Sequence, residues 1–186
     1  MSTKFTFHDL ETAPEGSKPL LKNVLASSGR IVDFYAVMAE SPEALSGYSA
    51  LSKAFNASSL NSEEKTVVWQ TINVEHECHF CVPAHTAMAK AMKVSDEVTN
   101  ALRDETPLPN SKLEALRDFT LTLVRTRGHA SDAEVTRFLE AGYTHRNILE
   151  VVLGLAQKVL SNYVNHLAQT PVDEQWEKFA WSKAAE

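Results

Sequence analysis

Cysteine occurs only twice in 186 residues, which excludes a fold held together by a framework of disulfides. Basic residues are also in short supply. Lysine and arginine number 18 against 24 acidic residues, a balance of −6 that provides no chain-wide attraction to nucleic acid or to an anionic lipid surface. No window approaches the roughly 18 uninterrupted apolar residues of a membrane span. The opening stretch, Met1-Ser2-Thr3-Lys4-Phe5-Thr6-Phe7-His8-Asp9, lacks the apolar segment of a secretory signal. These absences lead to the expectation of a soluble cytoplasmic protein that engages neither nucleic acid nor membrane. Low-complexity linkers and strong internal repeats are missing as well. With 44% hydrophobic residues, a chain of this length can bury roughly 70% of its unfolded surface as one unit. One domain over residues 1–186 is therefore expected.

Strand and hairpin signals are absent too, and nearly every apolar-rich stretch repeats at three and four rather than at two. Helices are expected over Leu20–Leu25, Ile31–Ala39 and, after Ser41-Pro42, Ala44–Phe55. Another over Glu63–Val74 leads into a helix from about Cys81 to Met92. Ser95 can cap a short helix to Arg103; Pro107 and Pro109 interrupt the pattern, which resumes over Lys112–Arg127 and stops at Gly128. Ser131-Asp132-Ala133-Glu134 is a capping-box signature opening a helix through Leu139. Thr144 can cap the longest helix, whose apolar face reads Ile148, Val151, Val152, Leu155, Val159, Leu160 and Tyr163. Val172–Ala185, with Trp176, Phe179 and Trp181, is expected to be an amphipathic terminal segment that covers either a neighbouring subunit or its own core. The fold class is all-α, a bundle of short helices.

The two cysteines stand in Glu75-His76-Glu77-Cys78-His79-Phe80-Cys81-Val82-Pro83-Ala84-His85. Residues three and four apart on a helix are neighbours at roughly 5–6 Å, within the 4.4–6.8 Å or so between Cα atoms that a disulfide tolerates. Cys78, Cys81 and His85 fall within an arc of roughly 60°, with Cys81 nearest the imidazole. Proline is tolerated in the first helical turn, so Pro83 puts the helix start near His79 to Val82. Cys81 would then sit among free N–H groups at the positive end of the helix dipole, which favours a thiolate. Glu75 and Glu77 oppose this by like-charge repulsion, and the net sign is not legible at this level.

In a reducing compartment such a pair points to redox chemistry or to metal. A zinc set would take Cys78, Cys81, His85 and one of His76, His79 or Glu75, but the usual second half-site is missing. Redox use is therefore the leading reading, and no metal or cofactor is assigned. His76 and His79 read as solvent-facing or loop-start residues, with a share in proton transfer as the alternative. His166 reads as a hydrogen-bonded core or interface histidine, Met88 and Met92 as core. Trp69 reads as core, or as a wall of the thiol pocket.

The stretch from Leu60-Asn61-Ser62-Glu63-Glu64-Lys65-Thr66-Val67-Val68-Trp69 through Val74-Glu75-His76-Glu77-Cys78-His79-Phe80-Cys81-Val82-Pro83-Ala84-His85 resembles the carboxymuconolactone decarboxylase and alkylhydroperoxidase D-like superfamily. The likeness is specific over about residues 60–95. Ala39-Glu40-Ser41-Pro42, Asn162-Tyr163-Val164-Asn165-His166 and Thr170-Pro171-Val172-Asp173 extend it loosely. The resemblance implies an all-helical alkylhydroperoxidase D-like fold assembled as a trimer or hexamer, and peroxidase activity in which Cys81 attacks, Cys78 resolves and His85 joins a proton relay. It also implies an external dithiol reductant, lipoyl or thioredoxin-like. Two positions depart from the pattern: the relay glutamate falls on Thr66, and the histidine before the second cysteine falls on Phe80. Glu75 matches a glutamate of many relatives and is expected to act instead. The decarboxylase branch, which does not depend on a cysteine pair, fits less well.

These residues thus suggest a thiol-dependent peroxidase in which the Cys81 thiolate, its proton taken by His85 directly or through water, becomes a sulfenic acid that Cys78 converts to a disulfide. The alternatives are a redox sensor or interaction protein using the same disulfide, and a zinc-binding helical module.

Overall fold

A computed structural model describes residues 4–183. The order is α1 (Lys18–Ser28), α2 (Asp33–Met38), α3 (Pro42–Asn56), α4 (Ser62–Glu75), α5 (Cys81–Ala91), α6 (Asp96–Arg103), α7 (Ser111–Thr126), α8 (Asp132–Glu140), α9 (His145–Ala168) and a 3₁₀ helix over Glu174–Phe179. No strand occurs among the described residues.

Local chemistry accounts for the starts. The side chains of Ser41, Asn61, Ser95, Asn110, Ser131 and Thr144 each accept a backbone N–H of the helix that follows, satisfying donors that have no intrahelical partner. At Ser131 the reciprocal bond from Glu134 completes the expected capping box. Pro42 occupies the opening turn of α3, where its missing N–H costs nothing.

Helix α4 is the axis of the molecule. Every residue from Thr66 to Val74 is buried, because α5, α6, α7 and α9 all pack around it. One apolar core gathers Val67, Val68, Trp69 and Ile72 of α4 with residues of α6 to α9. A second is built from α1, α2 and α3 around Leu21, Phe34, Met38, Leu45 and Tyr48, and Cys78, Phe80 and Cys81 form one edge of it. The cysteine turn therefore lies where the second core meets the central helix.

One expectation is corrected. In α9 the buried face is Glu150, Val151, Gly154, Gln157, Lys158, Ser161, Asn162 and Asn165, while Val152 and Tyr163 of the expected apolar face are about half exposed, at 46% and 53%. Polar partners on α4 and α5 draw this helix's polar side inward. The terminal segment, expected to cover either a neighbouring subunit or its own core, forms a short 3₁₀ helix over Glu174–Phe179. Its 3₁₀ turn folds back on its own chain, Trp176 edge-on to Phe80 at 5.6 Å between centroids and Trp181 Nε1 donating to the Arg103 carbonyl at 3.0 Å. Ala184 and Ala185 lie outside the described residues.

Candidate active site

Both cysteines are placed by the way α4 stops and α5 starts. The N–H of Cys78 bonds to the Asn73 carbonyl and that of Glu77 to the Val74 carbonyl, each at 2.9 Å, with Glu77 left-handed at φ 52°. This Schellman stop turns the chain so that Cys78 Sγ accepts the N–H of Cys81, the first residue of α5, at 3.3 Å. Pro83 falls in the opening turn, as expected from its lack of a donor. Both cysteines are free thiols and buried.

Helix α9 supplies the rest of the sulfur's surroundings. Asn165 Nδ2 donates to Cys81 Sγ at 3.3 Å. Lys158, 1% exposed, directs Nζ at His85 Nε2 at 2.9 Å. An ammonium can only donate, so Nε2 accepts and the imidazole proton resides on Nδ1. Burial first, and the Lys158 charge second, hold the His85 pKa well below its ordinary range, so the ring is neutral at physiological pH.

The two thiols are driven apart. Burial by itself raises the Cys81 pKa, but a hydrogen bond from the Cys78 thiol, the Lys158 charge and the amides of Asn162 and Asn165 outweigh it, and the net shift is downward. Cys78 moves up, because it donates to Cys81, is buried and faces the neighbouring negative charge. The result is a thiolate at Cys81 beside a protonated Cys78 thiol. Its consequence for pH is direct: a free thiol near 8.5 loses its thiolate about tenfold per unit of acidification, whereas Cys81 stays ionised until the pH falls through its depressed value. The iodoacetamide alkylation rate at Cys81, followed by mass spectrometry, is expected to stay level from pH 8.5 to well below 7; a tenfold fall per unit across that range would refute the thiolate assignment.

The residues expected from sequence are only partly brought together. Cys78, Cys81 and His85 share the site, but no hydrogen bond joins His85 to Cys81 among the described residues; the ring meets Lys158 instead. Glu75 is not part of the group. It forms a two-pronged pair with Arg125, at 2.8 and 2.7 Å, whose hydrogen bond holds the carboxyl below its ordinary pKa, and it lines a separate cavity with Arg117 and Asp118. The assignment of Glu75 as a relay group is corrected on that ground: its position at the last turn of α4 points it toward α7. The candidate zinc set is dispersed likewise, with His79 Nε2 donating to the Thr170 carbonyl and His76 Nδ1 to Asn162 Oδ1, both at 2.9 Å. At the departing positions, Thr66 returns its hydroxyl to the Ser62 carbonyl and Phe80 joins the aromatic wall described below. His166 is exposed rather than core, Met88 stands 41% exposed at the cavity, and Trp69 backs the His85 ring at 5.0 Å between centroids.

Sequence reading missed Lys158, Asn162 and Asn165. The signal was present: within α9, Gln157/Lys158, Ser161/Asn162 and Asn165 recur at three and four, a polar stripe on a helix capped at both ends. Asn162 Nδ2 donates to Asn73 Oδ1 at 3.0 Å, Asn73 Nδ2 to Gln70 Oε1 at 2.9 Å, and Gln70 Nε2 to the Val82 carbonyl and Thr86 Oγ1, both at 3.1 Å. This buried amide chain ties α9 to α4 and α4 to α5. Such satisfied networks give a core a single arrangement, and here they set the distance of α9 from Cys81.

Cys81, His85, Lys158 and Asn165 line a cavity of about 250 Å³. Its walls are aromatic: Phe34, Tyr35, Tyr48, Phe80 and Trp176, with Phe34 edge-on to Tyr48 at 4.7 Å. Burial, the neighbouring Tyr35 and the Cys81 charge push the Tyr48 pKa up, which keeps its hydroxyl neutral. Lys158 is the one formally charged side chain other than Cys81 among the described lining residues, and the rest of the lining mixes aromatic and aliphatic side chains with the hydroxyls of Ser27, Ser28 and Ser161.

Comparison with solved structures finds the same architecture. A peroxidase-related protein from Ralstonia eutropha JMP134, described as an alkylhydroperoxidase AhpD core, superposes with a TM-score of 0.82 at 16% identity, covering 93% of each chain. A peroxidase-related protein from Silicibacter sp. TM1040 gives 0.77 at 16% identity over 95% of this chain and 97% of that one. A cysteine-to-alanine variant of the debrominase Bmp8, in complex with 2,3,4-tribromopyrrole, gives 0.76 at 16% identity over 94% of each. No family model matches the chain, and neither does any curated protein. At this identity the likeness establishes the fold, which is alkylhydroperoxidase D-like, as the cysteine window implied.

Proposed function

We propose that a chain with this fold and this pair of thiols is a thiol-dependent peroxidase that reduces hydroperoxides through a Cys78–Cys81 dithiol/disulfide cycle. The observation that carries the reading is Cys81 in the lining of a cavity it shares with Lys158, with Asn165 Nδ2 donating to its sulfur and Cys78 Sγ against the Cys81 N–H; these neighbours favour the thiolate. The thiolate attacks the terminal oxygen of the hydroperoxide, the O–O bond breaks, and the sulfur becomes a sulfenic acid while an alkoxide leaves and is protonated. Cys78 then attacks that sulfur, the S–O bond breaks, and its proton departs with the hydroxide as water. An external dithiol, lipoyl or thioredoxin-like, reopens the disulfide by exchange. His85 assists as a neutral ring that fixes Lys158.

The aromatic walls favour a second reading, reductive removal of a halogen from a small halogenated ring. The thiolate would take the halogen, the ring carbon would keep the electron pair and gain a proton, and Cys78 would displace halide to give the same disulfide. Steady-state assays with a dihydrolipoyl donor separate the cases. Many turnovers of hydrogen peroxide or cumene hydroperoxide per chain support the peroxidase. Halide release from tribromopyrrole with no peroxide turnover replaces it with the second reading. A single stoichiometric oxidation, with no turnover of either, marks a sensor.

A further inference from the structure

The cysteine pair explains where the electrons come from but not where the leaving oxygen finds its proton. Cys78 keeps its own proton for the second step, in which it leaves with water. His85 accepts at Nε2 from Lys158, and a ring whose burial keeps it neutral is a weak proton donor. Glu75 is engaged by Arg125 on another face. Lys158 is different. It lines the cavity, it is buried, and among the described residues His85 is the one hydrogen-bond partner of its Nζ, which leaves two of its three N–H bonds for a ligand.

A second group points the same way. Asn165 binds the sulfur through Nδ2, while its Oδ1 is buried and has no hydrogen-bond partner among the described residues. An amide places its oxygen and nitrogen on one rigid plane, so a hydroxyl donating to Oδ1 is held beside whatever Nδ2 touches. Buried acceptors are rarely left unpaired, and the one donor that every hydroperoxide carries is the O–H on its terminal oxygen.

We propose that Lys158 is the catalytic acid of the peroxide step, delivering its proton to the oxygen that leaves, while Asn165 Oδ1 holds the hydroperoxide O–H so that the terminal oxygen faces Cys81. The inference rests on the peroxidase reading above. The step balances. The S–O bond forms as the O–O bond breaks, sulfur is oxidised by two electrons, the distal fragment departs as an alcohol carrying the Lys158 proton, and neutral Lys158 remains hydrogen-bonded to His85 until solvent reprotonates it. The aromatic walls suit this division of labour, since an alkoxide forming beside them gains more from a positioned N–H donor than from the rings around it.

The test varies how much the leaving oxygen needs a proton. tert-Butyl hydroperoxide releases a strongly basic alkoxide; peracetic acid releases acetate, which needs no acid. Rates of Cys81 oxidation are measured with each in the wild type and in Lys158→Met, and divided by the thiolate fraction found by alkylation at the same pH. For Lys158→Met the expected loss is about 10²–10⁴-fold with tert-butyl hydroperoxide and less than about tenfold with peracetic acid, in keeping with a proton-transfer role. Equal losses with both oxidants, or no loss with either, overturn the proposal, because a residue acting only on folding or on the thiolate cannot tell the leaving groups apart.

The wild type alone gives an independent answer should the variant not fold. Its ratio of peracetic acid to tert-butyl hydroperoxide rates, per thiolate, is expected to be compressed about 10²-fold or more relative to dithiothreitol, as general acid catalysis requires. An uncompressed ratio overturns the acid role. If neither oxidant produces the Cys78–Cys81 disulfide in the wild type, the peroxidase reading itself fails, an outcome distinct from an uncompressed ratio with the disulfide formed.

Discussion

Cys81→Ser is expected to abolish hydroperoxide turnover, by more than about 10³-fold, because an alcohol in the same place is un-ionised and a poor nucleophile. Cys78→Ser is expected to consume one peroxide per chain and stop. The asymmetry follows from the site: only Cys81 lines the cavity and receives the Asn165 amide, and only Cys78 is held as a thiol that can return a proton to the departing hydroxide. Intact-mass measurement after one equivalent of peroxide reads the outcome. The wild type should lose two hydrogens, while Cys78→Ser should gain one oxygen and react with a sulfenic-acid probe. The reverse pattern, with Cys81→Ser gaining oxygen and Cys78→Ser retaining turnover, would exchange the two roles.

Gly154→Ala is expected to destabilise the protein although it removes no functional group. A Cβ at Gly154 would lie 2.6 Å from Phe55 Cε2 and 2.8 Å from Val68 Cγ1, and both neighbours are fully buried, so neither can yield cheaply. Overpacking of this kind costs about 1–3 kcal/mol and sometimes more, against a gain of about 0.8–1 kcal/mol in helix propensity for replacing glycine by alanine. With contacts this short the cost belongs in the upper half of that range, about 2–3 kcal/mol, so a net loss of about 1–2 kcal/mol, or roughly 2–8 °C in Tm for a domain of this size, is the expected result in a thermal melt. The clash also moves α9 outward, and Lys158 lies one turn along the same face. The alkylation profile of Cys81 should therefore shift toward that of a free thiol in the same variant. An unchanged melt and an unchanged profile would show that α9 is not seated as closely on α3 and α4 as the contact with Phe55 and Val68 requires.

Much of the bundle is legible in the chain because its signals are local. Ser41, Ser95, Ser131 and Thr144 announce helix starts by hydrogen bonds that reach only two or three residues, and Pro83 places the beginning of α5 because a proline nearer the middle of a helix would clash. The cysteine register is partly local: Cys81 and His85 share a stripe of α5 by helical spacing, whereas Cys78 precedes that helix and is brought to the Cys81 N–H by the turn that follows α4. Glu75 illustrates the limit. Its distance in sequence from Cys78 is short, yet the stop at Glu77 reverses the chain direction between them, and its carboxylate finds Arg125, 50 residues on.

The sequence by itself determined which segments are helical and that two thiols stand within reach of one another at a helix start, since both properties depend on neighbours within about one turn. Tertiary structure alone decided which side of α9 faces inward. A helix with apolar residues on one side and Gln157, Lys158, Ser161, Asn162 and Asn165 on another can bury either, and the choice is made by what the opposing surface offers. Here Asn73 and Gln70 of α4, Cys81 and His85 of α5 present polar atoms that require partners once water is removed. The contacts that result, Lys158 with His85 across 73 residues and Asn165 with Cys81 across 84, turn an ordinary thiol into a thiolate facing an aromatic cavity.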